Sequence, residues 1–447
     1  MSTVTTRIAP SPTGQMHIGT VRSALFNYVW AKHNKGTFLI RIEDTDTERN
    51  RPEWTQMIWD DFEWCGLIPD KKYIQSEHAP RHRELLERLV QEGKAYVSHE
   101  PSKNDPNIEV AVIRLKNPGK TVVFNDLIHG EITFDTTELG DFVIARSMDD
   151  PLYHFAVVVD DADAHVSHVI RGEDILSSTP RQILIQEALG FSRPIYAHLP
   201  LILSADRKKL SKRHHVVSLA DYRDEGILPE AMINYLALLG WNPGTDEEHF
   251  SLEQLIERFS FDGVQKSGAI FDRTKLLSVN QHWMRELSDD DFSKHLDVGL
   301  PISHKLPISH KIVVLLKERA KTFKEAQEML LGELSCLFSE PTLDRNQLSI
   351  KKPKERPSMT KTALEGLLEP LKALPEGISA EAVKEAVMPL ADAEEAVGKG
   401  GRGAVLWPLR YALSGQERSP DPFTLISILG TKEAISRIRK AIAILKK

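Results

Sequence analysis

Two short stretches hold residues whose types and spacing suit chemistry on a phosphorylated substrate. The first is "APSPTGQMHIGT", residues 9–20. A loop of small residues opening into a helix leaves backbone N–H groups without partners, and the helix dipole adds partial positive charge, so a phosphate is favoured there. Gly14 and Gly19 let the backbone approach a nucleotide closely, and His17 at the helix mouth can hydrogen-bond phosphate oxygens. The second is "ADRKKLSKR", residues 205–213, where Arg207, Lys208, Lys209, Lys212 and Arg213 surround Leu210 and Ser211. A basic loop just past a strand suits transient neutralisation of a polyphosphate, since charge is supplied where it develops and withdrawn afterwards. Arg171 in "HVIRGED" and the acidic run "EDTD" at 43–46 follow other strands. With no histidine nearby, the acidic run is not read as a metal site.

These residues need a scaffold that brings strand ends together. "VTTRI" reads as a strand, "APSPTGQM" as an irregular turn, "HIGTVRSALFNYVWAKHNKG" as a helix ended by Gly36, and "TFLIRI" as the next strand. That is a β-α-β unit, and ligands bind at the carboxyl edge of such sheets. "HVSHVIRGEDILSSTPRQ" reads as strand, loop and helix, with Ser178 or Thr179 capping and Pro180 in the first turn, so Arg171 sits at a strand's carboxyl end. "YAHLPLIL" is a further strand leading into the basic loop. Near residue 300 the character changes. Segments such as "KIVVLLKERAKTFKEAQEMLLGEL" and "SAEAVKEAVMPLADAEEAV" repeat apolar residues at helical spacing, so 310–447 reads as all-α. The repeat "PISHKL/PISHKI" at 301–312 reads as a linker or helix entry, "KKPKERP" at 351–357 as an exposed loop, and "GKGGRG" at 398–403 as a helix connection without Walker spacing.

Composition narrows the class. At 447 residues and 41% hydrophobic, the chain can bury sizeable cores in two to four domains. The start has no apolar signal segment and no window approaches a membrane span, so a cytoplasmic protein is expected. Cys65 and Cys336 are too few for a disulfide framework or a cysteine-rich zinc site. The net charge of −7 is uneven: residues 1–300 sum to −13 and residues 301–447 to +6. A basic C-terminal third is compatible with a polyanion docking there.

"HIGT" at 17–20 resembles the HIGH signature of class I aminoacyl-tRNA synthetases, and "KLSKR" at 209–213 resembles their KMSKS loop. Together with "RIAPSPTG", "RIEDTDTER", "YHFAVVVDDADAHVSHVIRGEDILSSTPRQILI" and "KSGAIFD", they make residues 1–285 resemble the glutamyl-tRNA synthetases of the bacterial type. "GRGAVLWPLRYALSG" at 401–415 resembles that family's anticodon-binding end. Thr20 replaces the last histidine of HIGH, so a backbone or hydroxyl contact stands in for an imidazole, and Arg213 replaces the last serine of KMSKS. Some relatives carry a zinc-binding cysteine cluster, but the corresponding "AYVSHEPSKNDPNIEVAVIRL" has no cysteine, and no zinc or other protein-held metal is expected.

The resemblance implies an α/β Rossmann-type catalytic domain with an inserted α/β domain, followed by an all-α anticodon-binding region. The bounds expected are 1–95 and 166–215 for the catalytic halves, 96–165 for the acceptor-stem insert, 216–300 for a connecting domain and 301–447 for the anticodon domain. It implies ATP with Mg²⁺, L-glutamate and tRNA(Glu) as partners, with tRNA(Gln) charged too by some relatives, and a monomer without membrane association. His17, Lys209 and Lys212 take the catalytic roles. Gly14, Gly19, Thr20, Ser211 and Arg213 join them around ATP. Arg7 or Arg171 takes the glutamate side-chain carboxylate, Glu43 the α-amino group, and Ser11 and Tyr153 add neutral hydrogen bonds. Asp44 and Arg410 are expected at the tRNA. Glutaminyl-tRNA synthetases share both signatures but end in β-barrels, against the helical pattern after 310. A catalytically silent RNA-binding paralogue is expected to have lost His17, Lys212 or Arg171, and all three are present.

Overall fold

The computed structural model describes residues 3–46, 48–102, 105, 107–208, 210, 218–296, 308–348, 357–396 and 401–446. Lys209, Ser211, Lys212, Arg213, most of the PISHK repeat and the run through residue 356 lie outside the described residues. The chain forms two compact units, Met1–Trp283 and Met284–Lys447.

The first unit is built on parallel strands. β1 (Thr5–Ile8), α1 (Ile18–His33), β2 (Thr37–Ile42), α2 (Pro52–Trp64), β3 (Lys71–Ile74) and α3 (Ala79–Gln91) follow in sequence, and the sheet order is β1-β2-β3. An insertion follows: β4 (Ala95–Pro101), β5 (Glu109–Leu115), β6 (Thr121–Asp126), β7 (Gly130–Asp135), β8 (Phe142–Ser147) and β9 (Asp150–Pro151). These pair antiparallel among themselves, as the sheet β4-β5-β8-β9 and the hairpin β6-β7. α4 (Tyr153–Asp163), β10 (His168–Gly172), α5 (Thr179–Leu189) and β11 (Ile195–Leu199) return to parallel construction, β10 beside β11. Ser167 links the halves: its N–H donates to Thr5 O at 3.0 Å and its Oγ accepts from Thr5 N–H at 2.8 Å. The parallel strands thus run β3-β2-β1-β10-β11, the doubly wound order whose crossover lies between β1 and β10. The insert expected to end at residue 165 gives way to the parallel fold earlier, because Asp161 on α4 pairs with arginines of β1 and β2.

α1 is buried nearly all round, as a helix sandwiched by other elements must be. Asn27 Nδ2 donates to Ile170 O of β10 at 2.9 Å, and Asn27 O accepts from Thr6 Oγ1 of β1 at 2.8 Å. On its other side Phe26 and Trp30 meet Phe259 and Phe261 at ring distances of 5.2 and 4.7 Å. These belong to the segment after the basic loop: β12 (Ile202–Leu203), α6 (Leu219–Asp224), α7 (Pro229–Leu238), α8 (Leu252–Arg258), β13 (Ala269–Ile270) and α9 (Arg273–Glu286). "YAHLPLIL" is therefore two strands, split at Pro200, which has no N–H to give a ladder.

The second unit contains helices and no strand among its described residues, as the apolar periodicity predicts. Val405, Leu409 and Leu413 of Gly403–Ser414 are buried with Leu425, Ile438 and Ala441 of the two helices that follow. Buried Arg437 donates to Cys336 O and Leu413 O, each at 2.7 Å. The unit begins near residue 284, earlier than the expected 301, because Phe292 packs on Phe323 at 4.9 Å and Lys317 Nζ donates to Leu287 O. Both cysteines are buried thiols. No described helix is long and apolar enough to cross a membrane.

Gly36 closes the end of α1 through its backbone, its N–H donating to Ala31 O at 2.8 Å, but it is not the left-handed residue. The helix stops at His33, and Lys35 takes the left-handed conformation at φ 53°. Gly36 is instead required by contact, since a Cβ there would lie 2.1 Å from Val4 O. Gly36→Ala must push β1 away from the turn, and urea titration is expected to show a loss of about 1–3 kcal/mol; an unchanged midpoint would contradict this packing.

Candidate active site

A cavity of about 500 Å³ opens at the carboxyl edge of the parallel strands. Its wall includes Arg7 of β1, Ser11 of the following loop, His17, Gly19, Thr20 and Arg22 of the α1 entry, Tyr153 of α4, Arg171 of β10 and Leu210. Four stretches distant in sequence, within residues 7–23, at 153, within 170–175 and within 200–210, converge because they end or begin at one sheet edge, where the strand order reverses.

At the helix mouth His17 is the N-cap of α1, and its Nδ1 accepts from the Gly19 N–H at 3.0 Å. An accepting Nδ1 carries no proton, so the neutral ring has its proton on Nε2, a donor suited to phosphate oxygen. The Gly19 amide, expected to serve a nucleotide, orients this imidazole here. A side chain at position 19 would come within 3.2 Å of His17 Nδ1, so glycine leaves the ring its place. Thr20 lies in the cavity wall, while Gly14 lies in the preceding loop outside it.

Behind the wall lies a buried network of charge. Asp161 accepts from Arg7 Nε at 3.1 Å and from Arg41 Nη1 at 2.6 Å. Arg41, wholly buried, also donates Nε and Nη2 to Glu43 Oε1 at 3.3 and 3.2 Å. Asp160 accepts from Gln75 at 2.6 Å and Tyr73 at 3.2 Å, and lies 2.6 Å from His82 Nε2. Burial pushes the Arg41 pKa down, yet the surrounding carboxylates, Asp161 foremost, outweigh it and hold it raised. Burial raises the Asp161 carboxyl, but Arg7 and Arg41 more than reverse this and keep it below its ordinary value. For Glu43 burial prevails over Arg41 and Arg7, and its pKa is raised. Glu43 N–H donates to Pro10 O at 3.0 Å, tying the loops after β1 and β2 together. Glu43 is not part of the cavity wall itself, although its charge is felt at Tyr153, which stands in that wall 41% exposed.

The two candidate arginines are held differently. Arg7 is anchored through Nε to a carboxylate, and its two terminal nitrogens have no protein partner among the described residues. Arg171, 6% exposed, has only neutral partners: His198 Nε2, Gln182 Oε1 at 2.7 Å and Thr179 Oγ1 at 2.7 Å. Burial lowers its pKa, and no carboxylate among the described residues pairs with it. Thr179, expected as a helix cap, spends its hydroxyl on Arg171, and Ser178, the N-cap, makes no side-chain cap bond.

The structure thus brings Arg7, Ser11, His17, Gly19, Thr20, Tyr153 and Arg171 around one cavity. Asp44, outside the cavity wall, accepts from Ser76 N–H at 2.9 Å and Ser76 Oγ at 2.6 Å, which clasps the segments after β2 and β3. Arg410 in the second unit lies over Trp407, 4.7 Å from its ring, and donates to Glu417 O at 3.0 Å. Sequence reasoning passes over Arg22, Arg41, Asp160, Asp161 and His198. The signal was present for Arg41, a charge inside the otherwise apolar "TFLIRI", and for the two aspartates that close "FAVVVDD". Buried Arg22 donates Nη1 to Leu239 O at 2.9 Å and Nη2 to Pro200 O, joining α1 to the strand that leads into the basic loop. Burial, opposed by Glu173, brings its pKa down to about 10. Among the described residues no group of three or more His, Cys, Asp or Glu is placed to hold a metal ion.

Comparison with known proteins agrees with this architecture. The catalytic domain of the class I tRNA synthetases (E and Q) matches residues 3–105 and 98–278, and an anticodon binding domain matches residues 280–442. The chain is 37% identical to the glutamate–tRNA ligase of Carboxydothermus hydrogenoformans, over 97% of this chain and 99% of that protein. It is 39% identical to the glutamate–tRNA ligase of Dehalococcoides mccartyi, over 98% and 97%. Among solved structures, a glutamate tRNA ligase from Elizabethkingia meningosepticum, in complex with its amino acid, superposes with a TM-score of 0.83 at 32% identity, covering 99% of both chains. With both units matched and relatives aligned from end to end, the chain belongs to the class I tRNA synthetases of the E and Q type, a catalytic domain joined to an anticodon-binding domain.

Proposed function

We propose that the protein is a glutamate–tRNA ligase, which joins the α-carboxylate of glutamate to the α-phosphate of ATP with loss of pyrophosphate and then transfers the glutamyl group to the 3′ end of tRNA. One observation carries the reading: a single cavity holds the His17 helix mouth together with the guanidiniums of Arg7 and Arg171. A dicarboxylic amino acid and a nucleotide triphosphate are the two partners those groups suit. The chemistry needs no covalent enzyme nucleophile, so catalysis is positioning and charge stabilisation.

In this reading the glutamate side-chain carboxylate lies against Arg171, which no carboxylate among the described residues pairs with, with the terminal nitrogens of Arg7 alongside. Glu43 supplies the acceptor for the α-amino group from behind the wall, its Oε1 engaged by Arg41. Ser11 and Tyr153 add neutral contacts. His17 Nε2–H meets the phosphates, Thr20 lies beside it, and Gly14 and Gly19 let the backbone approach the nucleotide. Lys209 and Lys212, with Ser211 and Arg213, stabilise the departing pyrophosphate from the basic loop. Mg²⁺ comes with ATP, held by phosphate oxygens and water as this ion prefers, and no zinc is required. The inserted strands serve the acceptor stem, residues 216–283 the stem beyond, and the helical unit the anticodon, with Arg410 a base or phosphate contact and Asp44 a contact near the tRNA end. The protein acts as a cytoplasmic monomer on tRNA(Glu). Whether it also charges tRNA(Gln) depends on one anticodon base.

The reading makes three predictions. ATP–pyrophosphate exchange should appear with glutamate and tRNA together, and not with glutamate alone; exchange supported only by another amino acid would overturn the assignment. Lys212→Ala should slow activation by roughly a hundredfold in single-turnover measurements, the cost of one preorganised charge contact, while glutamate binding changes less. Arg410→Ala should weaken tRNA binding by about 1–3 kcal/mol in filter-binding titrations and leave the KM for glutamate unaltered; equal tRNA affinity would remove Arg410 from the interface.

A further inference from the structure

The residues behind Arg171 form a chain that the proposed reaction does not itself require. His198, on β11, is fully buried, and its ring is held at both nitrogens. Nδ1 lies 2.6 Å from Asp126 Oδ2, and Nε2 lies 3.2 Å from Arg171 Nε and 3.1 Å from Thr179 Oγ1. Arg171 Nε can only donate, so Nε2 must accept, and the ring proton must sit on Nδ1, facing Asp126. The Thr179 hydroxyl fits the same assignment: it accepts from Arg171 Nη2 at 2.7 Å and turns its own proton to Nε2. Asp126 is fixed in turn, its Oδ1 accepting from the N–H groups of Ile128 at 2.9 Å and His129 at 3.0 Å and its Oδ2 from His198 N–H at 3.0 Å. Burial alone would raise the Asp126 carboxyl, yet the bonds from His198 and the backbone hold it below its ordinary value. Burial likewise keeps His198 neutral, against the pull of Asp126.

The contrast with the buried arginines of β1 and β2 gives the chain its meaning. Arg7 and Arg41 donate directly to carboxylates. Arg171 meets the imidazole of His198 at Nε2, and the carboxylate of Asp126 lies beyond it at Nδ1. The imidazole passes on orientation without passing on negative charge. The geometry points to Asp126–His198 as a relay that sets the plane of Arg171 while leaving its positive charge unneutralised, which makes His198 a specificity-determining positioning residue for a substrate carboxylate over the corresponding carboxamide. A carboxylate completes the site electrostatically and accepts two guanidinium N–H groups. A carboxamide brings its own N–H donors against Arg171 and leaves the buried charge unpaired. The inference rests on the reading of the protein as a glutamate–tRNA ligase with Arg171 at the side-chain carboxylate.

The test combines one measurement independent of activity with a kinetic split. In ¹⁵N-histidine-labelled wild-type protein at neutral pH, the resonance lost in His198→Gln should be that of a ring protonated at Nδ1; a ring protonated at Nε2 or at both nitrogens would refute the relay. In aminoacylation assays, His198→Leu, which removes the acceptor, should raise the KM for glutamate by roughly tenfold or more, with the KM for ATP within about threefold of wild type. It should also narrow the preference for glutamate over glutamine. His198→Gln, which can present a neutral acceptor oxygen, should recover most of the affinity for glutamate. Equal rises in both KM values, or a folded His198→Leu protein with unchanged glutamate KM, would overturn the proposal. Absence of glutamate-dependent charging by the wild-type protein would instead remove the functional reading, and the specificity role with it, whatever tautomer is observed.

Discussion

The site depends on one shared carboxylate. Asp161 of α4 takes Arg7 of β1 and Arg41 of β2 at 3.1 and 2.6 Å, with almost no water in reach. Taking such charges out of water costs several kcal/mol per ion, and pairing returns much of this without a large net gain, so the network is a weak source of stability. Its consequence is positional. Three elements that meet nowhere in the sequence are held within hydrogen-bond distance, because leaving any one of the charges unpaired in the interior costs about 3–5 kcal/mol. Arg41 then holds Glu43, and the Glu43 N–H to Pro10 O bond fixes the loop that carries Ser11. The cavity wall is the outer surface of this arrangement.

Against that balanced interior, Arg171 stands apart. It is as buried as its neighbours but rests on Gln182, Thr179 and His198, none of which carries negative charge. Burying such a group without a counter-charge is costly, and an anion beside it offsets that cost. The helix mouth at His17 adds a second attraction for negative charge in the same cavity, and Arg22 ties that helix to the strand leading into the basic loop. The two ends of the cavity therefore differ in kind: a fixed guanidinium, which suits a carboxylate, and a helix dipole with a neutral imidazole donor, which suits phosphate.

Much of this was legible in the sequence, and the legible part was local. A small-residue loop between strand and helix, an arginine at a strand's end before a helix, and helical periodicity after residue 310 each declare themselves within about twenty residues. The resemblance to class I synthetases then joined stretches that lie far apart. What escaped was long-range. Asp161 follows Arg7 by 154 positions and Arg41 by 120, so no window contains the pair. Thr179 read as a cap, yet Arg171 claims its oxygen. Gly36 looks like a helix terminator and is a point of backbone contact with Val4. The helical unit was expected from 301 and begins near 284, because helical periodicity is plain only after 310, whereas Phe292 already packs with that unit.

The central claim is that one cavity positions glutamate and ATP for reaction, the amino acid side chain against Arg7 and Arg171 and the nucleotide at the His17 helix mouth. A crystal structure of the protein with a non-hydrolysable glutamyl-adenylate analogue tests it most directly. The account predicts the side-chain carboxylate within hydrogen-bond distance of the Arg171 guanidinium, the α-amino group towards Glu43, and the phosphate mimic beside His17. An analogue seated with its carboxylate away from both arginines, or outside this cavity, would contradict it.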